Sequence, residues 1–317
     1  MDEPERSSDA GSGNQEAPRA VHHIDDQLDE LPEFLYHYTD ASGVKGILES
    51  RSLWATDARF LNDTTELIFA RERVIDALIE SADRLAPARP EGRWETREEQ
   101  HAEVQRIAAA LYEKTTTDFG VFVTSFSEHP DSLSQWRAYG TYSLVFRSSR
   151  LESISANGGP PGYARIDHQH PAVSDDHVPV RLRKVRYGHG PESAKLIADA
   201  VDAIKPGGIG IGAKAWVQLH YQAFPRLAAL KHPTFEGEGE WRLIVGGYSD
   251  PTGIAFRASG PVVVPHVPLD FHPTAVAGVM VGPHARAELM KEGVKRLLSI
   301  QGYKDATVQS STAPFRG

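Results

Sequence analysis

Residues 119–126, Phe-Gly-Val-Phe-Val-Thr-Ser-Phe, form a mid-chain run of β-branched and aromatic side chains that a strand accommodates best. Shorter runs of the same kind recur at 34–39, 52–56, 142–146, 178–187 and 241–246, and again at 253–257, 260–264, 275–281 and 306–309. Helical patterns separate some of them. Asp40 stands where it can cap residues 41–50, whose Val44, Ile47 and Leu48 share one face. A turn at 62–66 leads into a longer helix reaching Leu85, with Leu67, Ile68, Val74, Ile75, Leu78 and Ile79 as its apolar stripe. Further helices are expected at about 96–114, 192–204, 213–230 and 284–300. Strands and helices do not alternate one for one. The expected class is therefore α+β, with mixed and antiparallel sheets of short strands and flanking helices, not a wound parallel sheet.

Charge divides the chain of 317 residues unevenly. Residues 1–33 hold ten acidic side chains against two arginines, a net −8 of the whole chain's −9. That stretch also has few large apolar residues, so residues 1–32 are expected to form a disordered acidic tail, able to serve as an arm for a partner protein. Residues 33–317 are expected to form a single domain with helical insertions at about 64–115 and 190–230. This body is electrically balanced and lacks the basic stripe of broad nucleic-acid binders.

Cysteine is absent, which removes disulfides, thiolate metal sites and cysteine nucleophiles, and fits a reducing cytoplasm. The acidic start is the reverse of an export signal, and no apolar run is long enough to span a membrane. Two motifs are decoys. Gly208-Ile209-Gly210-Ile211-Gly212-Ala213 has dinucleotide-motif spacing, but a helical pattern precedes it where that motif needs a strand. Asp167, His168 and His170 with Asp175, Asp176 and His177 are metal-capable side chains in a loop-like context, and no metal is expected there.

Chemistry concentrates in four clusters beside strands: Tyr36-His37-Tyr38-Thr39; Trp54 and Thr56 with Asn62 and Asp63; Ser125-Phe126-Ser127 through Trp136 and Tyr139; and Glu240-Trp241-Arg242. In Glu236-Gly237-Glu238-Gly239-Glu240, the glycines are expected to leave the first two acids in a mobile loop. Glu240 abuts the apolar strand and is fixed by it. Strand alternation sends Glu240 and Arg242 to one face and Trp241 and Leu243 to the other.

Taken in order, these segments (L-Y-H-Y-T, S-L-W-A-T-D-x-R-F-L-N-D, F-V-T-S-F-S-E, L-S-Q-W-R-A-Y-G, K-H-P-x-F-x-x-x-x-E-W-R-L-I and V-G-P-H) resemble a bacterial family known as domain of unknown function 2971. The resemblance covers about residues 34–316. At the level of fold, Y-H-Y-T followed by a short helix is similar to the opening of ADP-ribosyltransferases. That resemblance implies an ADP-ribosyltransferase-like core with NAD as substrate. It assigns His37 to a ribose of NAD, Ser125, Phe126 and Ser127 to the nicotinamide pocket, and Glu240 to the catalytic acid.

The residue types suit that chemistry. Cleaving the nicotinamide–ribose bond develops an oxocarbenium-like cation that a carboxylate stabilises. Neutral histidine both donates and accepts, which matches a vicinal diol. Tyr38, Trp54 or Tyr139 can stack the nicotinamide, Thr39 belongs to the same strand end, and Arg242 or Arg59 can pair a pyrophosphate. The expected acceptor of ADP-ribose is a macromolecule, protein or nucleic acid, in a toxin or phage-defence setting. Two alternatives stay open. One is a non-catalytic ligand- or protein-binding module. The other is a metal-dependent nuclease or phosphoesterase using Asp63, Glu66, Glu128 and Asp131.

Overall fold

The computed structural model describes residues 30–61, 65–84, 97–117, 120–165, 177–188, 190–204, 223–247 and 253–314. Its organising strand is the β-rich run of the chain's middle, observed as Val121–Ser127 and designated β3. Before it come β1 (Phe34–Thr39), α1 (Ala41–Ser50), β2 (Ser52–Asp57), α2 (Thr65–Arg84) and α3 (Arg97–Thr117). After it follow α4 (Leu133–Tyr139), β4 (Tyr142–Arg147), α5 (Ser148–Leu151), β5 (Tyr163–Arg165), β6 (His177–Lys184), β7 (Arg186–Tyr187) and α6 (Pro191–Ile204). The chain then forms α7 (Phe224–Leu227), β8 (Leu230–Lys231), β9 (Glu240–Gly246), β10 (Ala255–Ser259), β11 (Val262–Asp270), β12 (Val276–Val281), α8 (Ala287–Ile300) and β13 (Thr307–Ser310). Asp40 caps α1 as expected, its Oδ1 accepting from the Gly43 amide at 2.8 Å.

Eleven of these strands share one mixed sheet, so the α+β class holds. Its main path runs β10-β11-β2-β3-β1-β4-β12-β13, antiparallel except for β12 with β13. Strand β3 has three partners, although a strand has only two edges. One edge pairs with β9 along its full length, from Val121 opposite Gly246 to Ser127 opposite Glu240. The other edge is shared. Strand β2 takes its start, with Thr56 opposite Val123, and β1 takes its end, with Tyr36 opposite Ser127. Among the described residues, Thr124, Ser125 and Phe126 therefore have no strand beside them on that edge, and the sheet forks there.

Alternation along β3 and β9 then decides what each face does. Val121, Val123 and Ile244 join the apolar core made with α2, α3, α6 and α7, where Val74, Leu78, Leu111 and Phe224 are buried. Further along the same face come Ser125 and Ser127, opposite Arg242 and Glu240. The helix-covered face thus turns from apolar to polar within two residues. The opposite face packs Phe126 edge-on to Phe146, and Phe146 edge-on to Phe271, at 5.7 and 5.4 Å between ring centroids.

Several expectations are corrected. Residues 128–140 contain the unanticipated helix α4. Residues 233–238 form a 3-10 helix, not a loose loop, closed by Gly239 in the left-handed region (φ 51°). A Cβ on Gly239 would stand 2.9 Å from His129 Nε2, so glycine is needed there for space as well as conformation. Of the helix expected at 213–230, the described part is the single turn α7, followed by β8. Residues Pro32–Gly317 form one compact unit. The acidic tail up to residue 29, Asp63, the glycine run 208–213 and the histidines 168 and 170 lie outside the described residues. Among the described residues, no helix is long and apolar enough to cross a membrane.

Candidate functional site

The fork opens onto a small cavity of about 100 Å³, lined by Tyr36, His37, Tyr38, Ser125, Phe126, Ser127, Gln135, Tyr139, Glu238 and Glu240. It is smaller than the apolar cavity of about 150 Å³ that accommodates benzene. By alternation His37 follows the Phe126 face, whereas Tyr36, Ser127 and Glu240 lie in one row on the other. Both sets border the same cavity because the sheet divides between them. His37 Nδ1 bonds the Ser125 carbonyl oxygen at 2.9 Å, satisfying a backbone group that the fork leaves without a ladder partner. A carbonyl only accepts, so Nδ1 carries the proton and Nε2 is left as an acceptor. Burial lowers the His37 pKa, with the Ser125 carbonyl working in the opposite direction, and the ring is held neutral.

Behind the cavity lies a cluster of five charges, four of them buried and Glu238 partly exposed. Glu240 and Arg242 come from β9, Glu66 from the first turn of α2, and Glu238 from the end of the 3-10 helix. Lys231 comes from β8, which the short strand β7 holds in place by pairing Tyr187 with it. Arg242 donates to Glu240 through Nε at 2.7 Å and Nη2 at 3.0 Å, to Glu66 at 2.6 Å and to the Ala228 carbonyl at 2.8 Å. Lys231 Nζ meets Glu66 at 2.9 Å, Glu238 at 2.7 Å and Glu240 at 2.9 Å. The Tyr187 hydroxyl accepts from the Glu240 amide at 2.8 Å.

Three acids facing two cations leave one excess negative charge, and the pKa values show where it falls. Burial alone would raise the Glu240 carboxyl, but Arg242, Lys231 and the Ser125 hydroxyl outweigh it and hold the group at about 2. Glu238 moves the other way. Burial raises its pKa, and the nearby Glu240 and Glu66 charges add to that against the opposing pull of Lys231. Glu240 is thus a fixed anion, and Glu238, which borders the cavity, is the acid able to take up a proton.

Of the residues singled out from sequence, His37, Tyr38, Ser125, Phe126, Ser127, Tyr139 and Glu240 meet at this cavity. Two of them have polar atoms already committed. The Tyr38 hydroxyl donates to the His129 carbonyl at 2.6 Å and accepts from the Ser132 amide, and burial pushes its pKa to about 12. Ser127 Oγ donates to the Glu238 carbonyl at 2.6 Å and accepts from the His129 amide, fastening the turn that carries Glu238.

Four residues do not join them as expected. Arg242 is 3% exposed and its donors are spent inside the cluster, so it positions Glu240 and has no free edge for a pyrophosphate. Trp54 lies on β2 outside the cavity, 48% exposed and stacked on His266 at 4.6 Å. Thr39 closes β1 opposite Tyr142 and does not line the cavity. Arg59 is tied to Asp57 at 2.6 Å.

The acids proposed for a divalent cation do not converge. Glu66 belongs to the charge cluster, Glu128 pairs with Lys184 and accepts from Trp241 Nε1, and Asp131 accepts from Trp136, Ser311, Thr312 and Ala313. Among the described residues, no group of three or more such side chains is arranged to hold a metal ion. Sequence reasoning missed Gln135 and Lys231, gave Tyr36 no role beyond its cluster, left Glu238 in a mobile loop and offered Glu66 only to a cation site. A signal existed for two of them: Glu238 lies two residues before Glu240, and Lys231 opens the K-H-P segment. No family model, curated protein or solved structure matches this chain.

Proposed function

We propose that the protein is an NAD-consuming ADP-ribosyltransferase whose reaction centre is the forked-sheet cavity. The observation that carries this reading is a buried Glu240 with a depressed pKa, bordering the same small cavity as a neutral His37 with a fixed tautomer. The nicotinamide ring enters the cavity in part, against Phe126 and Tyr36, and the remainder of the dinucleotide lies along the mouth of the fork. His37 Nε2 accepts from a ribose hydroxyl. As the C1′–N bond breaks, its electron pair leaves with nicotinamide and positive charge develops on the ribose. The excess negative charge of the cluster stabilises that cation in a site of low dielectric. The acceptor, a macromolecule, bonds to C1′ and gives its proton to Glu238. The experiment is NAD turnover by Glu240→Gln: a loss of about two to three orders of magnitude, with NAD binding largely kept, supports the reading. Undiminished turnover by folded protein ends it.

One observation favours a second reading, a non-catalytic ligand-binding module. The Glu240 carboxylate, with about four lone-pair sites, is engaged by Arg242, Lys231 and Ser125. A ligand reaches it directly only by displacing one of these donors. NAD binding with no nicotinamide release by the native chain identifies this case.

A further inference from the structure

Asp131 was a candidate cation ligand by sequence, and the structure gives it another occupation. Oδ1 accepts from Trp136 Nε1 at 2.8 Å and from Ser311 Oγ at 2.5 Å. Oδ2 accepts from the Thr312 amide at 2.7 Å, Thr312 Oγ1 at 3.0 Å and the Ala313 amide at 3.2 Å. One carboxylate thus gathers donors from two places about 180 residues apart in sequence, and four of its five bonds go to the segment following β13. Ser311 is itself tied back to the sheet, its amide donating to the Val281 carbonyl at 2.7 Å.

The other end of this arrangement is the cavity wall. Trp136 sits in α4 between Gln135 and Tyr139, both of which line the cavity. Its indole packs edge-on against Tyr38 at 4.6 Å, and Gly282 lies so close to it that a Cβ there would come within 2.8 Å of the ring. Gly140 (φ 131°) ends α4 so close to Thr39 that a Cβ there would stand 2.6 Å from the Thr39 carbonyl. The short helix is thus held at its far end by β1. At its near end Ser132 offers no side-chain cap, and Trp136 with Asp131 provides the anchorage.

We propose that Ser311–Ala313 is a strap which, through Asp131 and Trp136, sets the position of the α4 wall and thereby the affinity of the cavity for its ligand. Asp131 is a positioning residue that touches no ligand. The part of the proposal concerning affinity rests on the NAD reading above. The part concerning α4 does not.

The test compares the native chain with full-length Asp131→Asn, whose amide turns a donor toward the donors of Thr312 and Ala313. Thr312→Ala is a milder second variant in case the first folds poorly. Hydrogen exchange is followed in residues 133–139 and, as an internal reference, in α8. The KM and kcat for NAD are measured alongside. Asp131→Asn is expected to speed exchange in α4 by at least about tenfold with α8 unchanged. It should raise KM several-fold with kcat kept, because the Glu240 cluster is untouched. Thr312→Ala should follow in the same direction with a smaller effect. Unchanged exchange in α4 overturns the strap. Faster exchange with an unaltered KM overturns its link to the cavity. Faster exchange in a protein whose native form does not consume NAD supports the strap's hold on α4 and overturns the transferase reading alone.

Discussion

His37 donates from Nδ1 to the carbonyl of Ser125 at 2.9 Å, across the gap where β1 and β2 part on the same edge of β3. This one contact gives a histidine a place in a strand that is otherwise largely aromatic and aliphatic. It closes the backbone ledger of the fork on one side and turns an acceptor nitrogen toward the other. No aliphatic or aromatic hydrocarbon side chain does both.

That contact has a pH signature. Burial lowers the His37 pKa from its ordinary 6.5, so the unfolded chain takes up its proton first as pH falls. The neutral ring's contribution is complete above about pH 6.5 and is lost as pH falls through the lower folded value. His37→Gln keeps a donor for Ser125 without the titration. Its stability is expected to fall less than that of the native chain between pH 7.5 and 5, as measured by thermal unfolding.

Arg242 is the cation on which the buried cluster depends, since it meets both Glu66 and Glu240. Arg242→Met leaves those two acids with Lys231 alone. A cost of about 3–5 kcal/mol is expected in denaturant unfolding, the usual penalty for stranding a buried charge. Arg242→Lys should restore little, because an ammonium cannot span both carboxylates and the Ala228 carbonyl from one planar group.

Glu238 and Glu240 should respond oppositely to pH. The Glu240 pKa is depressed from 4.5 to about 2, so its contribution is present above pH 4.5 and disappears as pH falls toward 2. The Glu238 pKa is raised, so its charge opposes folding increasingly as pH rises from 4.5 through the folded value. Glu238→Gln is therefore expected to raise the thermal midpoint at pH 7, and to lose that advantage near pH 4. A midpoint lowered at pH 7 would show that its bond to Lys231 outweighs the repulsion.

Element by element, much of the fold was legible in the sequence. The FGVFVTSF run becomes the central strand, Asp40 caps α1 as its position requires, and the apolar stripe of α2 packs where Val74 and Leu78 place it. Helix α4 was not legible. Leu133-Ser134-Gln135-Trp136 has no apolar period, and its position depends on Tyr38, Gly282 and Asp131, none of which is a neighbour within the helix. Trp54 shows the converse. Its residue type suits a stacking platform, yet β2 pairs with β11 and turns the indole away from the cavity.

Residue type and local periodicity, which act over a few positions, determined the strands, the helices and the presence of His37, Ser125 and Glu240 at strand positions. Tertiary structure decided what those residues face. The fork exists because β1 and β2 compete for one edge of β3, and a strand cannot register that competition in its own sequence. The charge cluster exists because Glu66 meets Arg242 across 176 residues, and Lys231 reaches both through a two-residue strand. A salt bridge read from Glu240 and Arg242 alone is a surface pair worth about 0–1 kcal/mol. Covered by α2 and β8 it becomes a buried anion with a depressed pKa, because burial weakens the screening by water that would otherwise make the pair unimportant.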